Sequence, residues 1–173
     1  GFRVRFVDIA TLSEASRAAL AGATVQKTLK PAAPVPGTGQ ALEVRSPGLL
    51  TPLQDGGRPG LAGQGVSASG ALDQGACRTA NRLVGNASHL ACLETVGGGL
   101  QLASHGETVV AVTGADAPLL LTTAGGRRAR VPRYQPLALA HGDLLAIGEP
   151  AAGTRCYVAA RGGFDVAPVL GSL

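Results

Sequence analysis

A chain of 173 residues with 26 glycines and 11 prolines can form one domain with a real core, built from short strands and turns rather than long helices. Its net charge of +4 comes from 13 arginines and two lysines against 11 acids, and the basic residues are scattered apart from one cluster. Three Phe, two Tyr and no Trp leave the core to Val, Leu, Ile and Ala and offer too few stacking platforms for single-stranded nucleic acid.

In chain order, Val4–Ile9 alternates apolar and polar residues as a half-buried strand does, and Ser13 is placed to cap a short helix through Leu20. Periodicity is lost over residues 21–40, where Lys30-Pro31-Ala32-Ala33-Pro34-Val35-Pro36-Gly37-Thr38-Gly39 has the composition of a linker. A domain boundary is expected there. The start at Gly1, within a strand pattern, reads as a piece of a longer polypeptide. From Ala41 the pattern changes: Leu42–Arg45 is a strand, and Gln54–Gly70 is rich in turns. Ala71–Val84 carries Leu72, Ala76, Ala80, Leu83 and Val84 at helical spacing, with Gly85-Asn86 as a stop. Strands are then predicted over 91–96, 99–104, 108–113, 118–122, 136–140, 143–147 and 155–160. Val109–Val112 is apolar on consecutive positions, so both faces of that strand should be covered, as in a closed antiparallel barrel with the helix plugging one end. Arg127, Arg128, Arg130 and Arg133 form the basic cluster; it reads as a solvated turn between strands, or as a clamp for phosphate or carboxylate.

Cys77, Cys92 and Cys156 show no CxxC spacing, which speaks against a zinc site, and no metal ligand set is proposed. They read as small buried fillers, and an odd count without a framework fits a reducing cytoplasm. His89, His105 and His141 show no ligand spacing, and Gly97-Gly98-Gly99 reads as a hairpin turn rather than a phosphate cradle. No signal peptide is visible, and no apolar run is long enough to span a bilayer.

The polar residues of the turn-rich stretch carry the candidate chemistry. Gln54, Asp55 and Arg58 either tie a glycine-rich turn together through an ion pair or Asx turn, or present an amide, a base and a guanidinium to a polar pocket. Asp73 and Ser69 either cap the helix or, with Ser67, offer its N-terminus to an anion. Asn81 lies off the apolar stripe and is a candidate to face the site; Asn86 reads as a helix terminator. Glu94, in an apolar strand, either pairs with an arginine such as Arg58 or has a raised pKa suited to proton transfer.

Read together, these residues resemble a family: the 5-oxoprolinase C-type or Kip antagonist-like group, also called allophanate hydrolase subunit 2-like, to which the carboxyltransferase domain of urea carboxylase is similar. The resemblance lies in Gln54–Arg58, Gly65–Asp73, Ala80–Asn86, Leu93-Glu94, Thr113–Ala115, Gly142–Leu144 and Gly162–Ser172, and covers residues 41–173. Any one motif is weak; together and in order they are specific. Arg3–Ile9 resembles the last strand of the B-type, or Kip inhibitor-like, partner of that group. This implies a fused polypeptide of B-type and C-type components: residues 1–20 the tail of the B-type domain, 21–40 the linker and 41–173 the first barrel of a C-type domain. The family's fold is a pair of cyclophilin-like β-barrels, and its members continue past the position of Leu173. The resemblance implies a mainly β protein with one main helix, acting in an ATP-dependent 5-oxoprolinase that opens 5-oxoproline to glutamate. ATP, with Mg2+, would then bind this chain or a partner component. Asp55, Arg58 and Glu94 are the catalytic candidates, with Gln54, Ser67, Ser69, Asp73 and Asn81 binding substrate. The expected partners are the A-type and B-type proteins or domains of a 5-oxoprolinase and a small amide, with no nucleic acid or membrane. The alternatives are a biotin-dependent carboxyltransferase acting on a urea-like amide, for which Lys27 and Lys30 offer no carrier context, and a non-catalytic regulator of a sensor-kinase inhibitor.

Overall fold

The structure, a computed structural model, describes residues 40–173. The strand expected at Val4–Ile9, the helix at 13–20 and the linker up to residue 39 lie outside the described residues. Among the described residues ten strands run in the order β1 (Ala41–Pro47), β2 (Leu53–Gln54), β3 (Cys92–Val96), β4 (Leu100–His105), β5 (Thr108–Gly114), β6 (Leu119–Thr122), β7 (Arg128–Val131), β8 (Leu137–Leu139), β9 (Leu144–Ile147) and β10 (Arg155–Ala160). The α-helix, α1 (Gln74–Leu83), lies between β2 and β3.

Two five-stranded sheets result, ordered β1-β4-β9-β6-β7 and β2-β3-β10-β5-β8, and the pairings within both are antiparallel. Period-two alternation is clear in β4, where Leu100, Leu102 and Ser104 are buried and Gln101 and His105 exposed. Leu100, Leu102, Leu119, Leu145 and Ile147 of the first sheet meet Leu93, Val110, Val112, Leu139 and Val158 of the second in one aliphatic core. This is the core that a sequence poor in aromatics predicts.

The mainly β fold with one main helix agrees with the sequence pattern, and the helix position differs. It does not plug an end. It lies on the outer face of the second sheet, where Ala76, Cys77, Ala80 and Val84 pack on Cys92, Ala111, Tyr157 and Ala159. Ala111 and Ala159 alternate with the inward-facing Val110, Val112 and Val158, so the helix can approach closely at those positions. This is why Val109–Val112 needs cover on both faces: the core takes Val110 and Val112, and the helix takes Ala111. The strands are accordingly divided between two sheets rather than closed into one barrel.

Three local readings are corrected. The helix begins at Gln74, because Asp73 caps it by accepting the Ala76 N–H at 2.9 Å, and Leu72, outside the helix, is 70% exposed. Strand β2 is too short to leave a periodic signal. Arg128 and Arg130 belong to β7, an edge strand whose arginines point to solvent, and edges favour charge because it discourages further pairing. Replacing Leu145, fully buried at the centre of the first sheet, by Ala should cost about 2–5 kcal/mol in denaturant unfolding. Leu72→Ala, in spite of its place in the predicted stripe, should change stability by less than about 0.5 kcal/mol.

Candidate functional site

Two glycine-rich loops meet at the N-terminus of α1. The Arg58 N–H donates to the Ala68 carbonyl at 2.7 Å and the Ala71 N–H to the Asp55 carbonyl at 2.9 Å. The backbones approach so closely that a Cβ on Gly57 would collide with the Ala68 and Ser69 carbonyls, and one on Gly70 with Gly57. Both glycines also have positive φ, which explains why this stretch is rich in glycine. Ser69 adopts positive φ as well, and its N–H donates to the Ser67 hydroxyl at 3.3 Å; both serines are exposed.

The side chains on these loops divide into two groups. In the first, Asp55 accepts from the Gly57 N–H at 2.7 Å, the Ser172 hydroxyl at 2.6 Å and the Leu173 N–H at 3.1 Å. Burial opposes its charge, but the bonds from Ser172, Gly57 and Leu173 outweigh that and hold its carboxyl below the usual aspartate range. Arg58 reaches the Val169 carbonyl at 3.0 Å, while its Nε and the Oε1 of Gln54 are buried without a hydrogen-bond partner among the described residues. Asp55 and Arg58 thus hold residues 169–173 against the loop rather than pairing with each other.

The second group sits at the end of the outer face of the second sheet. Glu94, 6% exposed, accepts the Leu72 N–H at 3.0 Å and the Arg155 Nε–H at 3.0 Å. Its ion-pair partner is therefore Arg155 and not Arg58, which is engaged at Val169. Tyr157, directly across from Glu94 in the β10–β3 register, accepts the Asp73 N–H at 2.7 Å. Burial raises the Tyr157 pKa and the neighbouring Glu94 carboxylate adds to it, so Tyr157 stays a neutral phenol. Over this group opens a cleft of about 450 Å³ lined by Asp73, Arg133, Tyr134, Arg155 and Tyr157.

The two guanidinium groups of the cleft differ. Arg133 is committed to the rim: it donates to the Gly114 and Ala115 carbonyls at 3.2 and 2.8 Å, pairs with Asp116 and stacks on Tyr134. Arg155 uses Nε on Glu94, and its terminal nitrogens have no protein acceptor among the described residues. Asp73 uses Oδ1 on the helix cap and likewise keeps Oδ2 free of protein donors there. The cleft is thus lined by both a hydrogen-bond donor pair and an acceptor.

Of the residues singled out in the sequence, Asp73 lines the cleft and Glu94 supports it from beneath. Asp55 and Arg58 bond residues 169–173 and do not line the cleft, Gln54 ends β2 with its Oε1 buried, and Ser67 and Ser69 are exposed. Asn81 is fully buried and ties the helix to the following loop, donating to the Leu90 carbonyl at 2.7 Å and accepting from Asn86 at 3.0 Å. Asn86 does more than end the helix, since it also bonds the Ala160 carbonyl and the Gly162 N–H. Arg155 and Tyr157 escaped sequence reasoning. Their signal was a charge and a phenol two residues apart, hence on one face, in a strand otherwise apolar.

Asp55 makes the stability of the fold depend on pH. Its folded pKa is depressed, so it contributes stability at neutral pH that is lost as pH falls through the folded value. Asp55→Asn should lower stability at pH 7, and the gap to the unaltered protein should narrow in denaturant titrations below the ordinary aspartate value of about 3.9.

The family model for "Carboxyltransferase domain, subdomain A and B" matches residues 64–173. Urea amidolyase of Saccharomyces cerevisiae is 39% identical over 133 residues, which are 76% of this chain and 7% of that protein. The C subunit of Escherichia coli 5-oxoprolinase is 38% identical over 131 residues, 76% of this chain and 41% of that protein. The crystal structure of Kluyveromyces lactis urea carboxylase superposes with a TM-score of 0.71 at 40% identity, covering 76% of this chain and 11% of that one. The chain thus spans less than half the length of these relatives. On these matches, and on the two-sheet fold with its outer helix, the chain belongs to the carboxyltransferase domain, subdomain A and B, family.

Proposed function

We propose that this chain is part of an ATP-dependent 5-oxoprolinase, as a fused polypeptide of B-type and C-type components, converting 5-oxoproline to glutamate. The observation that carries this reading is that Arg155 and Asp73 line one cleft. A ligand bearing both a carboxylate and an amide N–H finds partners there: the Arg155 terminal nitrogens for the carboxylate, in the bidentate manner of guanidinium, and Asp73 Oδ2 for the N–H. 5-Oxoproline carries both groups; urea has no carboxylate for the arginine to hold. The likeness to the 5-oxoprolinase C subunits of Escherichia coli and Haemophilus influenzae, at 38% and 32% identity, supports the reading.

In this reading Arg155 binds and orients, and Glu94 is a positioning residue that fixes the Arg155 Nε. Asp73 holds the ring N–H while the lactam C–N bond is hydrolysed, the carbonyl carbon taking the oxygen of water and the ring nitrogen leaving as the protonated amine. Tyr157, kept neutral, holds the backbone of Asp73 in place. The described residues do not fit ATP at the glycine run. The Gly97 N–H donates to Thr154 and the Gly99 N–H to Ile147, and Gly98 is pressed against Gly148, so these amides are spent on packing. In this reading the nucleotide is held by the A-type or B-type partners.

The test uses the full-length polypeptide with its partner proteins, 5-oxoproline and ATP. Arg155→Met should raise KM for 5-oxoproline roughly 10- to 100-fold, the loss of a charge-assisted pair worth about 1.5–3 kcal/mol. An assembly that binds neither 5-oxoproline nor ATP would overturn the reading. Carboxylation of a urea-like amide by a biotinylated carrier would assign the chain to carboxyl transfer instead.

A further inference from the structure

Cys77 and Cys92 stand apart from the cleft and from its proposed role. Cys77 lies in α1 and Cys92 opens β3, and the small residues between helix and sheet bring them together. The Cys92 thiol donates to the carbonyl of Cys77 itself at 3.5 Å, and Asn81 Nδ2 bridges the pair, 3.4 Å from that carbonyl and 3.3 Å from the Cys92 sulfur. Both are free cysteines.

Their surroundings differ in a useful way. Cys77 borders a separate cavity of about 200 Å³, lined also by Asp55, Gly56, Gln74, Ser88 and His89. A small oxidant of a few atoms fits that volume, since a water molecule occupies about 30 Å³. Cys92 is fully buried behind it, with Asn81 Nδ2 donating to its sulfur at 3.3 Å. The neighbouring Cys92 side chain holds the Cys77 thiol below the usual cysteine range in spite of burial, while Cys77 and burial together push Cys92 up. Cys156 lies elsewhere, buried between the two sheets beside Ala115.

We propose that Cys77 and Cys92 form a peroxide-sensitive thiol pair, with Cys77 the sulfur oxidised first and Cys92 the resolving thiol. The Cys77 thiolate attacks one oxygen of a hydroperoxide, the O–O bond breaks, and the leaving oxygen takes a proton, leaving Cys77 as a sulfenic acid. The Cys92 sulfur then attacks the Cys77 sulfur. The S–O bond breaks, and hydroxide leaves as water with the Cys92 proton. The two sulfurs together lose two electrons and the peroxide gains them. The resulting crosslink fastens α1 to β3 and draws the Cys77 sulfur away from the Gln54 carbonyl, which it now meets at 3.8 Å.

Peptide mapping tests this directly. The folded full-length polypeptide is exposed to a small excess of hydrogen peroxide, denatured in N-ethylmaleimide and digested with trypsin, which cuts after Arg78 and Arg82 and so separates the two cysteines. The expected product is a Cys77–Cys92 linked peptide pair, removed by dithiothreitol, with Cys156 alkylated. Cys156→Ala should give the same pair, and Cys92→Ala should leave Cys77 open to dimedone. Recovery of Cys77 and Cys92 both alkylated and unlinked after peroxide would overturn the proposal. So would a link through Cys156, or a link that forms only after prior unfolding.

Discussion

The buried Glu94 carboxylate is the constraint on which the site is built. A charge at 6% exposure persists only if its oxygens are satisfied, and both are: one by the Leu72 N–H, the other by the Arg155 Nε–H. The two bonds join elements distant in sequence, the start of the helix and the strand β10. Removing the carboxylate would release the helix entry and Arg155 together. Tyr157 reinforces the junction by accepting the Asp73 N–H, so the capping residue and the arginine are held on either side of one cleft. The cleft is therefore a product of how the helix is anchored to the sheet.

The glycine loops solve a related problem. The turn carrying Asp55 and Arg58 and the segment entering the helix must pass within backbone contact, and only residues without a Cβ allow it at Gly57 and Gly70. Asp55 and Arg58 then face away from the cleft and fix residues 169–173 instead. The polar residues of this stretch are thus divided, Asp55 and Arg58 holding residues 169–173 and Asp73 lining the cleft.

That division marks the boundary of what the sequence could tell. The seven strands predicted from spacing and turn residues are present within a residue or two, because alternation and glycine turns are local properties. The double-sided burial of Val109–Val112 was readable for the same reason. The helix position was not, since a small-residue face such as Ala111 and Ala159 fits either a barrel interior or a helix on the outside. The Gln54–Asp55–Arg58 cluster was legible as polar and turn-forming, but the directions of the Asp55 and Arg58 side chains depend on residues more than a hundred positions away, Ser172 and Val169. Arg155 and Tyr157 were passed over because each matters only through a partner, Glu94 and Asp73, on another element.

The most direct measurement is a crystal structure of the full-length polypeptide soaked with 5-oxoproline. The ligand is expected in the cleft beside α1, its carboxylate on the terminal nitrogens of Arg155 and its ring N–H on Asp73, with Glu94 still holding Nε. Density for 5-oxoproline at another place on the chain, or Arg155 turned away from a ligand lying in the cleft, would contradict that arrangement.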